Sequence, residues 1–247
     1  MNSKETRLEQ QLSLLRARLL VMCASVGIAV DEACEALSGG NIGKASAVVD
    51  GDEGINALEN EIDDIALSIL ARNQPVAQDL RAVAVALRMV VDLERIGDEA
   101  ASIAERVLIL HEALPQPLIE AVSPLMHSAR SQYARAAEAF RTQDKKRALE
   151  LCRTDDDSTQ EEVAALQRIM NYLHPEADTD GMPSYASMHA ILICRALNRI
   201  CRRAMNIAEQ TYFMLEGVNI KHIPLDARLA ARLPDKAHGS ERQPNKE

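Results

Sequence analysis

The sequence predicts an all-α protein built as two tandem antiparallel three-helix bundles, and three observations lead there. Apolar residues recur at helical spacing almost without a break over 247 residues, and no stretch alternates as a strand does. The breaks are few, short and rich in Gly or Pro. Aromatic residues make up only 2% and Trp is absent, so the core must be Leu, Ile, Val, Ala and Met, a lean mixture suited to closely approaching helices.

Six helices are expected in order. The first runs from about Leu8 to Leu37 and stops at SGGN, 38–41. The second runs from near Gly43 to Arg72, and Pro75 is placed to open a third that continues to His111 before PQP, 115–117, interrupts it. A fourth spans Leu118 to Thr142, a fifth Lys145 to Leu173, and a sixth Ser184 to Glu216, the last two joined by the loop HPEADTDGMP, 174–183. Helices of about 30 residues are about 45 Å long. Short loops between such helices make neighbours antiparallel. DLERIGDEAASIAERV (92–107) lines up with ALNRICRRAMNIAEQT (196–211) at an offset of 104. More weakly, KASAVVDGDEGINALE (44–59) matches RALELCRTDDDSTQEE (147–162) at an offset of 103. A duplication follows, with bundles at 1–113 and 114–220 and a polar tail at 221–247 that is expected to be disordered.

The net charge is −9 and unevenly placed: residues 1–110 hold 18 acidic and 10 basic side chains, the remainder 19 and 18. An acidic surface without aromatic platforms argues against nucleic acid as a partner. The five cysteines (23, 34, 152, 194 and 201) are odd in number and fall among apolar helical positions, so they read as reduced core thiols. The apolar run LLVMCASVGIAV, 19–30, is short against the roughly twenty residues of a membrane span. No direct membrane insertion is expected, and the location is read as cytoplasmic.

Glu94 and Asp98 stand at i and i+4 on one face of the third helix, with Glu105 on the same face; Asp52, Glu59 and Asp63 share an edge of the second. Like charges gathered on facing helices raise one another's pKa unless something compensates. A hard cation held by oxygen ligands is one compensation. A solvated face with Arg81, Arg88 and Arg95 as intrahelical partners is the other, and spacing alone leaves both open. Gly-rich phosphate loops, HExxH and the Glu-x-x-His signature of di-iron bundles are absent from the sequence. His189 on the sixth helix reads as packed or half-exposed.

DLRAVAVALRMVVDLERIGDEAASIAERV, 79–107, resembles the signature of the PhoU family, duplicated three-helix-bundle regulators of bacterial phosphate uptake. Leu80-Arg81, Leu93-Glu94-Arg95-Ile96-Gly97-Asp98 and Ile103-Ala104-Glu105 carry it. DGDEGINALENEID, 50–63, and NIAEQTYFMLEG, 206–217, add two more matching places.

The resemblance implies metal binding by carboxylates of the second and third helix. Here the ligands would be Asp52, Asn56, Glu94 and Asp98, holding a divalent or trivalent ion (Mg, Mn, Fe or Zn) in the first bundle only. The second bundle departs from the pattern, with Asn198 and Arg202 where Glu and Asp are called for, and Asp155 followed four residues on by Thr159. Arg202 is expected to pair with Asp155, Asp156 or Asp157 instead.

The resemblance further implies a non-enzymatic, homodimeric regulator that couples the phosphate ABC transporter to a membrane sensor kinase, held at the inner membrane by protein partners. The rivals are a PhoU-like paralogue serving another transporter, and a metal-dependent enzyme or store built on a carboxylate bundle.

Overall fold

The computed structural model describes residues 3–153, 157–173 and 182–220. Among them the chain forms seven helices and no strand: α1 (Ser3–Gly39), α2 (Ile42–Asn73), α3 (Ala77–Leu110), α4 (Gln116–Thr142), α5 (Lys145–Arg153), α6 (Asp157–Tyr172) and α7 (Met182–Glu216). The first three pack on one another as one bundle. The second consists of α4, the α5–α6 pair and α7, and the bundles join along α3 and α7, with α1 and α4 touching beside them.

The helix expected over 145–173 appears as α5 and α6, residues 154–156 lying outside the described residues. The first helix begins at Ser3 rather than Leu8: Lys4, Glu5 and Arg7 are polar but favour helix, and polarity alone did not mark a loop. The last helix starts at Met182, with Pro183 in its first turn, where a missing N–H costs nothing. Residues 174–181 and the tail 221–247 lie outside the described residues.

α3 is enclosed by α1, α2 and α7, which explains why it is apolar on more than one face. Val83, Val85, Ala86, Met89, Val90, Leu93 and Ile96 are all buried. All five cysteines are free and buried, and burial pushes the thiols of Cys23, Cys34 and Cys194 up to about 12. Residues 7–39 of α1 are long and apolar enough to cross a bilayer by length and composition. In the fold, Leu15, Leu19, Met22, Val26 and Val30 of this stretch are core, while Leu14, Val21 and Ile28 keep an apolar stripe in solvent.

The turn between α1 and α2 depends on Gly40, at φ +59°, where a Cβ would lie 2.9 Å from the Ala113 backbone nitrogen. Asn41 then caps α2, its side-chain oxygen accepting the Lys44 N–H at 3.0 Å.

α2 and α3 come closest at Gly97. A Cβ there would stand 3.0 Å from Ile55 Cδ1, 3.3 Å from Ile55 Cγ2 and 3.6 Å from Asp52 Oδ1. Gly97→Leu is therefore expected to cost about 1 to 3 kcal/mol in urea unfolding by overpacking the buried contact. In an Ile55→Ala background the same substitution should cost measurably less. Equal costs in both backgrounds would show that the contact does not limit the approach.

Candidate functional site

The carboxylate row lies where α2 and α3 converge around Gly97. Asp52 and Asn56, one turn apart on α2, face Glu94 and Asp98, one turn apart on α3, and all four are half-buried. Asn56 Nδ2 donates to Asp52 Oδ2 at 3.1 Å, while Asp52 Oδ1 is buried without a hydrogen-bond partner. Burial raises the Asp52 pKa, and the charge of Asp98 raises it further, against the Asn56 hydrogen bond. Glu94 is raised for the same two reasons, burial first and Asp98 second, with Arg95 pulling it down. Glu59 joins the cluster: burial, Asp63 and Asp98 raise it and Arg95 lowers it. Glu105 is exposed.

Arg95 is the local counter-ion, reaching Glu94 at 3.3 Å and Asp98 at 3.1 Å. The intrahelical partner expected for a solvated face is thus present, beside a carboxylate oxygen left without one. In kind, the donors fit a hard cation. As arranged, they do not close around one: Arg95 covers Glu94 and Asp98, Asn56 turns its nitrogen toward Asp52, and among the described residues no three His, Cys, Asp or Glu side chains converge as ligands.

At the repeat-related place in the second bundle, Asn198 is buried and satisfied. Ser158 Oγ donates to its Oδ1 at 3.0 Å, and its Nδ2 donates to Glu162. A neutral amide held between a hydroxyl and a carboxylate needs no cation. Arg202 is exposed, and its expected partners Asp155, Asp156 and Asp157 lie where no side chain is described.

Periodicity also missed the polar seam between the bundles. Asp92 on α3 is 7% exposed and accepts three hydrogen bonds from α7: Arg203 Nη1 at 3.2 Å, Asn206 Nδ2 at 3.2 Å and Gln210 Nε2 at 2.8 Å. Arg199 Nη2 donates to Glu99 Oε2 at 2.6 Å further along. Asp92 opposite Asn206 and Glu99 opposite Arg199 is an antiparallel crossing, the arrangement a twofold axis perpendicular to the two helices would produce. The twofold mate of Glu99–Arg199 would set Arg95 against Arg203. Instead, Arg95 pairs with Glu94 and Asp98, and Arg203 with Asp92. A legible signal existed: Asp92 is an acid on the apolar stripe Val85, Met89, Ile96 and Ile103.

His189 on α7 is 4% exposed and edge-on to Tyr185, ring centroids 4.7 Å apart, with both ring nitrogens unpaired. Burial, and then the charge of Arg106, lowers its pKa from the ordinary value near 6.5. Protonation therefore favours the unfolded chain, so the stability tied to neutral His189 is present above about pH 6.5 and declines as the pH falls below it. His189→Leu should flatten the slope of unfolding free energy between pH 6.5 and 5 relative to the parent. The slope tied to one histidine is at most about 1.4 kcal/mol per pH unit. Parallel curves would place the pH dependence elsewhere.

An all-helical fold of two repeated bundles, carrying a carboxylate cluster in the first and an amide network in the second, defines a duplicated three-helix-bundle protein with an asymmetric pair of sites. The family model described as PhoU domain matches twice, at residues 19–107 and 122–211, displaced by the same 103 to 104 residues as the internal repeat. The chain belongs to the PhoU family.

A Pseudomonas aeruginosa relative, a phosphate-specific transport system accessory protein PhoU homolog, is 33% identical over 217 residues, 87% of this chain and 88% of its own. The Escherichia coli K12 phosphate-specific transport system accessory protein PhoU is 29% identical over 92% of this chain and 93% of its own. The crystal structure of PhoU from Pseudomonas aeruginosa superposes with a TM-score of 0.78 at 32% identity, covering 85% of this chain and 99% of that one. A PhoU structure from Streptococcus pneumoniae, at 23% identity, shares the fold with a TM-score of 0.73 over 86% and 98%.

Proposed function

We propose that this chain is a non-enzymatic regulator of phosphate uptake that couples a phosphate ABC transporter to a membrane sensor kinase and damps the phosphate-starvation response when phosphate is plentiful. The observation that carries the reading is the match, across most of both chains, to relatives named as accessory proteins of the phosphate-specific transport system. The exposed apolar stripe Leu14, Val21 and Ile28 on α1 supports a chain that docks proteins, and the reading includes a homodimer at the cytoplasmic face of the membrane. It also includes a metal ion at Asp52, Asn56, Glu94 and Asp98, supported by the raised Asp52 and Glu94, both half-buried beside Asp98, and by an unpartnered Asp52 oxygen. A cation there would neutralise the surplus charge and tie α2 to α3.

Deleting the gene should raise expression of a phosphate-starvation reporter in phosphate-rich medium. An unchanged reporter would favour a second reading, a paralogue with the same fold serving a different transporter. The Asn198 network, standing where the repeat calls for a carboxylate, is the observation that favours it.

A further inference from the structure

We propose that residues 225–233 of this chain dock as a short amphipathic helix into the apolar cleft between the two bundles. The cleft has a volume of about 220 Å³ and is walled by all four helices that join the bundles, with Leu12, Leu15 and Leu19 of α1, Val85 of α3, Phe140 of α4 and Met214 of α7 among its lining. Asp79 and Arg16 supply its charged lining. Next to this opening Val76 and Leu80, at the start of α3, are 71% and 45% exposed, which extends the apolar surface beyond the cleft.

The chain leaves the bundle at the edge of this cleft. α7 ends at Glu216, and Gly217 sits 3.5 Å (measured from an added Cβ) from the Arg81 guanidinium carbon, within one turn of the cleft-lining Gln78, Asp79 and Ala82. Ile220 is still buried. Four residues lie between Ile220 and Leu225, five Cα–Cα steps with a reach of up to about 17 Å. Proximity of this kind makes docking intramolecular, with the high effective concentration a short tether confers.

The segment has the chemistry to fit. LDARLAARL, 225–233, follows Pro224 and precedes Pro234, residues suited to a helix's first turn and to the position just past its end. Leu225, Leu229 and Leu233 recur every four residues on one face, with Arg228 and Arg232 along its edge. Nine residues make a helix about 13 Å long, matching two turns of α1 from Leu12 to Leu19. The apolar face would meet apolar walls; of the two charged groups in the lining, Asp79 would attract the arginines, while Arg16 already donates to the Arg141 carbonyl.

The test uses the full chain with Ser13→Cys on the cleft wall, labelled with an environment-sensitive fluorophore; the native cysteines are buried and leave this thiol the reactive one. With the parent tail the emission should be blue-shifted and quenching by iodide several-fold weaker than in the same chain carrying Leu225→Asp, Leu229→Asp and Leu233→Asp. Arg228→Glu with Arg232→Glu, which spares every apolar contact, should release the label partway at low salt. A label equally exposed with parent and substituted tails overturns the proposal. So does protection that grows with protein concentration, which would assign the cleft to the tail of a second copy.

Discussion

Asp92→Ala is expected to destabilise the protein by about 2 to 4 kcal/mol, as read by urea unfolding at neutral pH. The substitution strands three donors, Arg203, Asn206 and Gln210, that the carboxylate holds across the bundle interface. Breaking a fully buried ion pair by removing one partner costs about 3 to 5 kcal/mol, and the 29% exposure of the Arg203 side chain lets water recover part of that. Because α3 and α7 join the bundles, the variant should also separate their unfolding, so that two probes, one in each bundle, no longer give coincident transitions. A loss under about 0.5 kcal/mol with coincident transitions would reduce the seam to an ordinary surface ion pair.

A divalent cation at a hundred times its Kd is expected to stabilise the parent by about 2.7 kcal/mol. For a chain of this size that corresponds to roughly 5 to 10 °C in Tm. Replacing Glu94 and Asp98 together with Ala should abolish that rise, whereas Asp155→Ala should leave it intact, since Asn198 in the second bundle is already satisfied by Ser158 and Glu162. The cation-free baseline carries independent information. Burial, and then the charge of Asp98, raise Asp52 and Glu94, so the double substitution should leave the metal-free protein about as stable as the parent. A double variant that still gains the parent's full rise with added metal would place the ligands outside this cluster.

Much of this was legible in the residues alone because helical periodicity is a local property. The i, i+4 spacing of Glu94 and Asp98 put both on one face before any helix was placed, and the 104-residue offset located Asn198 and Arg202 in the corresponding slots. The start of α1 was misplaced because Lys4, Glu5 and Arg7 look like loop residues while favouring helix. Over the helix read at 145–173, helix is described at 145–153 and 157–172, on either side of residues outside the described ones.

What the residues determined by themselves is the set of helices, their duplication, and which face of each is apolar or acidic, since those follow from spacing along one chain. The tertiary structure decided which faces meet. Asp92 sits on an apolar stripe and found its donors 111 to 118 residues away, because the crossing of α3 and α7 brings Arg203, Asn206 and Gln210 onto it. The same crossing brings Arg199 onto Glu99, 100 residues away. A side chain's partner across an interface depends on the rotation and crossing of two helices, and these are set by packing between segments far apart in the chain.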